Sequence, residues 1–189
     1  VSVDILKKYE PTHCGDIMEF DYKQYQVGHF DIIWGSPECK VYSTLQNFRM
    51  KTEKNKDTNY WSWEDKEHLN RVRIEHGKFS KQTLDIINYL KPKWWFIENP
   101  YNSAMKNLPH MKDLPNIRFD YCRFDYVYQK PTRIWTNRSE LKEMKCECEG
   151  THKSRIGVFT KEYRLKNETK DTSSMNERYS IPPKLVEYL

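Results

Sequence analysis

Two side chains stand where their types and spacing could do chemistry, Cys39 and Glu98. Each follows an apolar run. Asp31-Ile32-Ile33-Trp34 leads into Gly35-Ser36-Pro37-Glu38-Cys39, and Trp94-Trp95-Phe96-Ile97 leads into Glu98-Asn99-Pro100. A thiolate can add covalently to an electron-poor carbon. A carboxyl held nearby can donate a proton, or a short hydrogen bond, where that addition builds charge. Delivered to one edge of a sheet, the two form a nucleophile and acid pair.

The elements that must position them follow from the pattern. Each apolar run reads as a buried parallel strand, and open α/β sheets bind ligands beyond the carboxyl ends of their strands. Between the runs, Leu69, Val72, His76, Phe79, Thr83, Ile86, Ile87 and Leu90 share one face at helical spacing. That spacing predicts a long helix ended by Pro92. Gly77 inside it costs about 1 kcal/mol against Ala, which weighs against an unbroken helix. Strands are also predicted at residues 1–4, 30–35, 94–97, 118–122 and 132–136, with a strand or loop at 12–17. A short helix is expected within 102–113, and another over 184–189, opened by Pro182-Pro183. Residues 40–63 and 138–178 read as polar and irregular. Strand and helix in alternation predict an α/β fold, a mostly parallel sheet with helices on both faces.

At 189 residues the chain suits one domain with a real core. Hydrophobic residues make up 37% and charged ones 31%, and no apolar run approaches the roughly 20 residues of a membrane helix. No membrane partner is expected. The net charge of +5 suits a polyanion without requiring one. Five cysteines, an odd number, favour reduced thiols and an intracellular place. Cys146, Cys148 and His152 invite a zinc reading, but the cysteine spacing is too tight and a fourth ligand is lacking, so no metal is expected. Lys51 to Lys56 is either a solvated segment or a loop that closes on nucleic-acid phosphates. Trp61 and Trp63 could stack on a base, though packing is their ordinary role. The first residues, Val1-Ser2-Val3-Asp4, already look like a strand and include no Met, so a start further upstream is expected.

The motifs carry a resemblance. Gly35-Ser36-Pro37-Glu38-Cys39-Lys40-Val41-Tyr42-Ser43 looks like the nucleophile motif of cytosine-5 DNA methyltransferases. Glu98-Asn99-Pro100 resembles their Glu-Asn-Val motif, and Gln129-Lys130-Pro131-Thr132-Arg133-Ile134-Trp135 their Gln-x-Arg-x-Arg strand. Ser180-Ile181-Pro182-Pro183-Lys184-Leu185 is similar to their last motif, and Asp4 and Asp16-Ile17 match acidic positions after early strands. Order and rough spacing agree over nearly the whole chain, and the closest likeness is to compact viral and phage forms.

The resemblance implies a Rossmann-like fold and transfer of a methyl group from S-adenosylmethionine to carbon 5 of cytosine in double-stranded DNA. Cys39 would add to carbon 6, Glu98 would serve ring nitrogen 3, and Arg133 would steady the carbonyl and the carboxylate. The base must be flipped out of the stack. Asp4, Ile5, Asp16, Ile17 and Pro37 would hold the cofactor, Asp4 at the ribose hydroxyls and Asp16 at the adenine amino group. Ser36, Ser43, Asn99 and Gln129 would bind the substrate. Residues 1–137 would be the catalytic core of a monomer, 138–178 a short target-recognition segment, and 179–189 a helix returning to the core. So short a segment implies a brief recognition sequence.

Three departures matter. Glu38 replaces the family's Pro before the nucleophile; turned inward, it would raise the thiol pKa by like-charge repulsion, and a fixed backbone angle is lost. Pro131 replaces the first Arg of the strand motif. The glycine-rich loop and the strand before it are missing, since no two of the six glycines lie close together. Strands two and four of the family order then lack a shared neighbour, leaving ladder groups open at about 1–3 kcal/mol each where buried. This span is therefore expected to bind S-adenosylmethionine weakly and to be unstable alone; micromolar affinity by isothermal titration calorimetry would contradict that. Three other readings exist: an RNA or tRNA cytosine-5 methyltransferase, a degenerate nucleic-acid-binding remnant, and an amino-methylating enzyme. The last needs a Ser/Asp-Pro-Pro-Tyr loop for stacking, and Cys39 in place of the aromatic argues against it.

Overall fold

The structure, a computed structural model, describes residues 1–48, 63–126, 129–147 and 180–189. The predicted Lys51 to Lys56 loop, Trp61, Cys148, His152 and most of the 138–178 segment lie outside them. Two sheets form. β1 (Val3–Asp4) pairs in parallel with β2 (His13–Cys14). β3 (Ile32–Gly35), β4 (Trp94–Pro100), β5 (Asn116–Asp120) and β6 (Pro131–Thr136) make a four-stranded sheet in the order β3-β4-β6-β5.

The expected mostly parallel sheet needs correction. Only β3 and β4 run parallel within the larger sheet, from Ile32 opposite Trp94 to Gly35 opposite Ile97. β6 is antiparallel to both β4 and β5. The reason is connection length. β3 and β4 are joined through a long helix, which permits a parallel crossover, whereas the stretch from Asp120 to Pro131 holds no such helix and the chain must turn back. A second correction concerns Ile32, placed by its apolar run in a buried strand. It is 57% exposed, because β3 is an edge of its sheet.

The long helix α1 spans Lys66–Leu90. Asp65 caps it, its Oδ1 accepting from the His68 amide at 2.6 Å. It ends at Lys91, whose left-handed backbone returns an amide bond to the Ile87 carbonyl, just before Pro92. Leu69, Thr83, Ile86, Ile87 and Leu90 are buried, while Val72, His76 and Phe79 are only half-buried. Gly77 does not break the helix. It lies on the buried face, where an added Cβ would sit 3.5 Å from His110 Cε1 and from the Leu108 methyls. That is ordinary contact, so Gly77→Ala is expected to raise stability by about 0.5–1 kcal/mol in urea unfolding. A loss of stability would show that the Leu108–His110 turn cannot accept a methyl.

α1 packs on one face of the larger sheet, with Leu69 and Ile87 against Ile97, Trp135, Met105 and Met111. On the other face Phe96, Phe119 and Ile134 pack with Tyr121, Phe124 and Leu185. Leu185 comes from the short helix α2 (Pro183–Tyr188). The short helix expected within 102–113 is reduced to a 3-10 turn, Ala104–Asn107, capped by Ser103. The segment that follows β2 docks on α1: Gly28 donates to the Leu90 carbonyl at 2.7 Å, and Gln82 of α1 donates to the Ile17 carbonyl at 3.4 Å. Among the described residues no helix is long and apolar enough to cross a membrane.

Candidate active site

Parallel pairing brings the carboxyl ends of β3 and β4 out side by side. At the end of β3, Gly35 lets the strand approach α1 closely. A Cβ there would lie 2.6 Å from Thr83 Cγ2, and Thr83 cannot easily rotate because its Oγ1 donates to the Phe79 carbonyl. The chain then turns along β4, where Asn99 donates from Nδ2 to the Pro37 carbonyl at 2.9 Å. Cys39 follows and the loop tightens, the Tyr42 amide donating to the Cys39 carbonyl at 3.1 Å. From α1, Arg73 clamps the far side, Nε to the Val41 carbonyl at 3.0 Å and Nη2 to the Ser43 carbonyl at 3.3 Å. The Tyr42 hydroxyl returns a bond to the Arg73 carbonyl at 2.8 Å. Sequence reading missed Arg73, because a lone polar residue on a helix carries no signal of what it reaches.

Glu98 lies within β4, which runs further than the predicted 94–97. Alternation puts it on the face of Phe96 and opposite Ile134. The Tyr121 hydroxyl donates to Glu98 Oε1 at 3.3 Å. Burial pushes the Glu98 carboxyl above its ordinary range, opposed by the charge of Lys130 and by the Tyr121 bond. Burial also pushes the Cys39 thiol up, and the Glu98 charge adds to this, while a backbone hydrogen bond and the Lys130 charge pull it down. Tyr121 is raised well above its ordinary value by burial and then by Glu98. Thus Cys39, Glu98, Tyr121 and Lys130 form one electrostatic cluster.

The other predicted site residues divide. Glu38, expected to burden the thiol if turned inward, points to α1, its Oε2 3.3 Å from His76 Nδ1. Its effect on Cys39 is upward but the smallest of the causes. Arg133 requires correction: it pairs with Asn99, on the opposite face from Glu98. Its guanidinium bonds Asn116 Oδ1 and lies 4.5 Å from the Tyr101 ring centroid, so it does not steady the Glu98 carboxylate. Gln129 also turns away, donating to buried Asp120 at 3.0 Å. Asp120 in turn takes both a two-pronged Arg118 contact, at 2.7 and 2.9 Å, and the Cys146 amide at 2.9 Å. Ser36 accepts from the Trp34 indole at 2.8 Å, and Ser43 Oγ accepts from the Leu45 amide at 3.3 Å. Asn99 keeps a buried Oδ1 without a partner.

Asp4 ends β1, and Asp16 lies just past the end of β2, its partner strand. Each folds one oxygen into a local turn, Asp4 Oδ1 taking the Leu6 amide at 2.7 Å and Asp16 Oδ1 the Met18 amide at 2.9 Å. Ile5 beside them is 69% exposed and Ile17 is half-buried. Carboxylate acceptors next to open apolar surface fit an adenosine group. Among the described residues no cluster of three or more His, Cys, Asp or Glu could hold a metal.

No protein-family model matches the chain. Over 143 residues it is 31% identical to a probable DNA (cytosine-5)-methyltransferase of Frog virus 3 (isolate Goorha), an overlap of 72% of this chain and 59% of that protein. The chain therefore spans less than two thirds of the relative's length. With the thiol, the carboxyl and this identity together, the chain resembles the cytosine-5 DNA methyltransferases.

Proposed function

We propose that this chain is part of the catalytic core of a DNA (cytosine-5)-methyltransferase that acts through a covalent cysteine adduct. The observation that carries this reading is the shared end of β3 and β4, where the loop bearing Cys39 is tied to β4 by Asn99, the neighbour of Glu98. Carbon 5 of cytosine is a poor nucleophile. Addition of the Cys39 thiolate at carbon 6 turns the ring into an enamine-like nucleophile. Glu98, kept protonated more readily by burial, stands to donate at ring nitrogen 3 as negative charge builds there. S-adenosylmethionine, when bound, supplies the methyl group that carbon 5 takes. Asp4 and Asp16 would accept from its ribose and adenine donors, with Ile5 and Ile17 against the ring. Water takes the carbon-5 proton, the Cys39 sulfur leaves as thiolate, and ring nitrogen 3 returns its proton to Glu98, which restores the aromatic ring. Addition at carbon 6 and methylation at carbon 5 proceed through the ring faces, which stacking covers in a duplex, so the target base has to swing out.

Duplex DNA carrying 5-fluorocytosine tests this, because fluorine cannot leave as a cation and the adduct persists. With S-adenosylmethionine present, a covalent complex stable to denaturing electrophoresis is expected. Salt-sensitive DNA binding with no adduct would overturn the reading in favour of a binding remnant. Preferential labelling of tRNA over duplex would move the substrate to RNA.

A further inference from the structure

The spacing of the strand motif assigns the site's cation to Arg133, but the β4–β6 register turns that residue away. Glu98 faces Ile134, and Pro100 faces Thr132. Lys130 continues that alternation on the Glu98 side, one residue before β6 begins. Its backbone takes a positive φ of 32°, which non-glycine residues adopt only under constraint. The constraint is visible: the Thr132 hydroxyl donates to the Lys130 carbonyl at 3.0 Å, and Pro131 follows. The ammonium lies 4.5 Å from the Tyr121 ring centroid. That same ring carries the hydroxyl that bonds Glu98. Nζ also donates to the Ser180 carbonyl, at 3.4 Å, in the motif that leads into α2. An aromatic face and a carbonyl together compensate a desolvated ammonium.

We propose that Lys130 is the cation of this site, a positioning residue that, seated on the Tyr121 ring whose hydroxyl bonds Glu98, eases ionisation of the Cys39 thiol. Burial lowers the pKa of the ammonium, while the charges of Glu98 and then Cys39 hold it up, so the three groups act on one another. The motif departure at Pro131 fits this arrangement. The strand has lost one Arg and keeps another on the wrong face, and the flanking lysine supplies the charge. The chemistry of the proposal rests on the methyltransferase reading, but its effect on the thiol does not.

The test is the pH profile of Cys39 alkylation by iodoacetamide in the full chain, read by peptide mass spectrometry, with exposed Cys14 as internal reference. Lys130→Met keeps the stem without the charge. It is expected to slow Cys39 alkylation about tenfold at pH 7 and to move its profile to higher pH, with Cys14 unchanged. Lys130→Arg is expected to recover most of the wild-type rate. If the Met variant does not fold, Lys130→Gln makes the same comparison. A Cys39 profile that stays put or quickens on loss of the charge overturns the proposal, because a residue that only props the packing would leave the thiol unchanged or open it. Trapping on 5-fluorocytosine DNA separates the two ideas. An adduct with an unmoved profile removes Lys130 and keeps the methyltransferase; a moved profile without any wild-type adduct does the reverse.

Discussion

Replacing Cys39 by Ser is expected to abolish the 5-fluorocytosine adduct and to reduce methyl transfer by about 10³-fold or more. The two side chains are nearly the same shape, so the loop held by Asn99 and Arg73 should survive. The chemistry should not. A hydroxyl is far less acidic than a thiol, and burial and Glu98 already push the thiol upward. The same forces would put an alkoxide out of reach. The wild-type rate of adduct formation should rise with pH beyond neutrality, because the Cys39 thiol is raised and only its thiolate attacks. An adduct that persists in Cys39→Ser would place the nucleophile elsewhere. Geometry argues against the other described cysteines. Cys14 sits at the end of β2, Cys122 in the 3-10 turn after β5, and the Cys146 amide is tied to Asp120.

How much of this was legible in the sequence depends on what each signal measures. The runs before Gly35 and Glu98 mark strands because apolar residues there are buried, and the 3.6-residue period of α1 marks its buried stripe in the same way. Direction of pairing has no such signal. It is set by the connections, which is why the sheet is mixed where β5 meets β6 and not where β3 meets β4. The exchange of Arg133 for Lys130 has the same origin. In a strand, one step in sequence is a change of face, and a motif of alternating arginines cannot show which face meets the acid until the register is known. Gln129 was legible as a polar residue in a motif, but not as a partner of Asp120, because nothing in the spacing joins it to β5. Gly77 was misread for a different reason. Its helix penalty is real, but the packing of α1 along the sheet outweighs it.

Glu98→Gln is expected to move activity and stability in opposite directions. Methyl transfer should fall by about 10²–10⁴-fold, since an amide cannot deliver a proton to ring nitrogen 3. Stability should rise, and the sign follows from the titration. The folded-state pKa of Glu98 lies above its unfolded value, chiefly from burial. Such a group contributes fully below the unfolded pKa, and its contribution is lost as pH rises through the folded one. Glutamine has nothing to ionise and keeps an oxygen for the Tyr121 hydroxyl. The difference in melting temperature, variant minus wild type, should therefore be near zero in acid and grow positive as pH increases. Removing the charge also removes the second largest cause holding the Cys39 thiol up, so alkylation of Cys39 should quicken while methylation collapses. A merely structural glutamate would lose stability on substitution and leave the sulfur as it was. Faster thiol chemistry with slower transfer would instead mark Glu98 as the acid that the reaction needs and the fold would be more stable without.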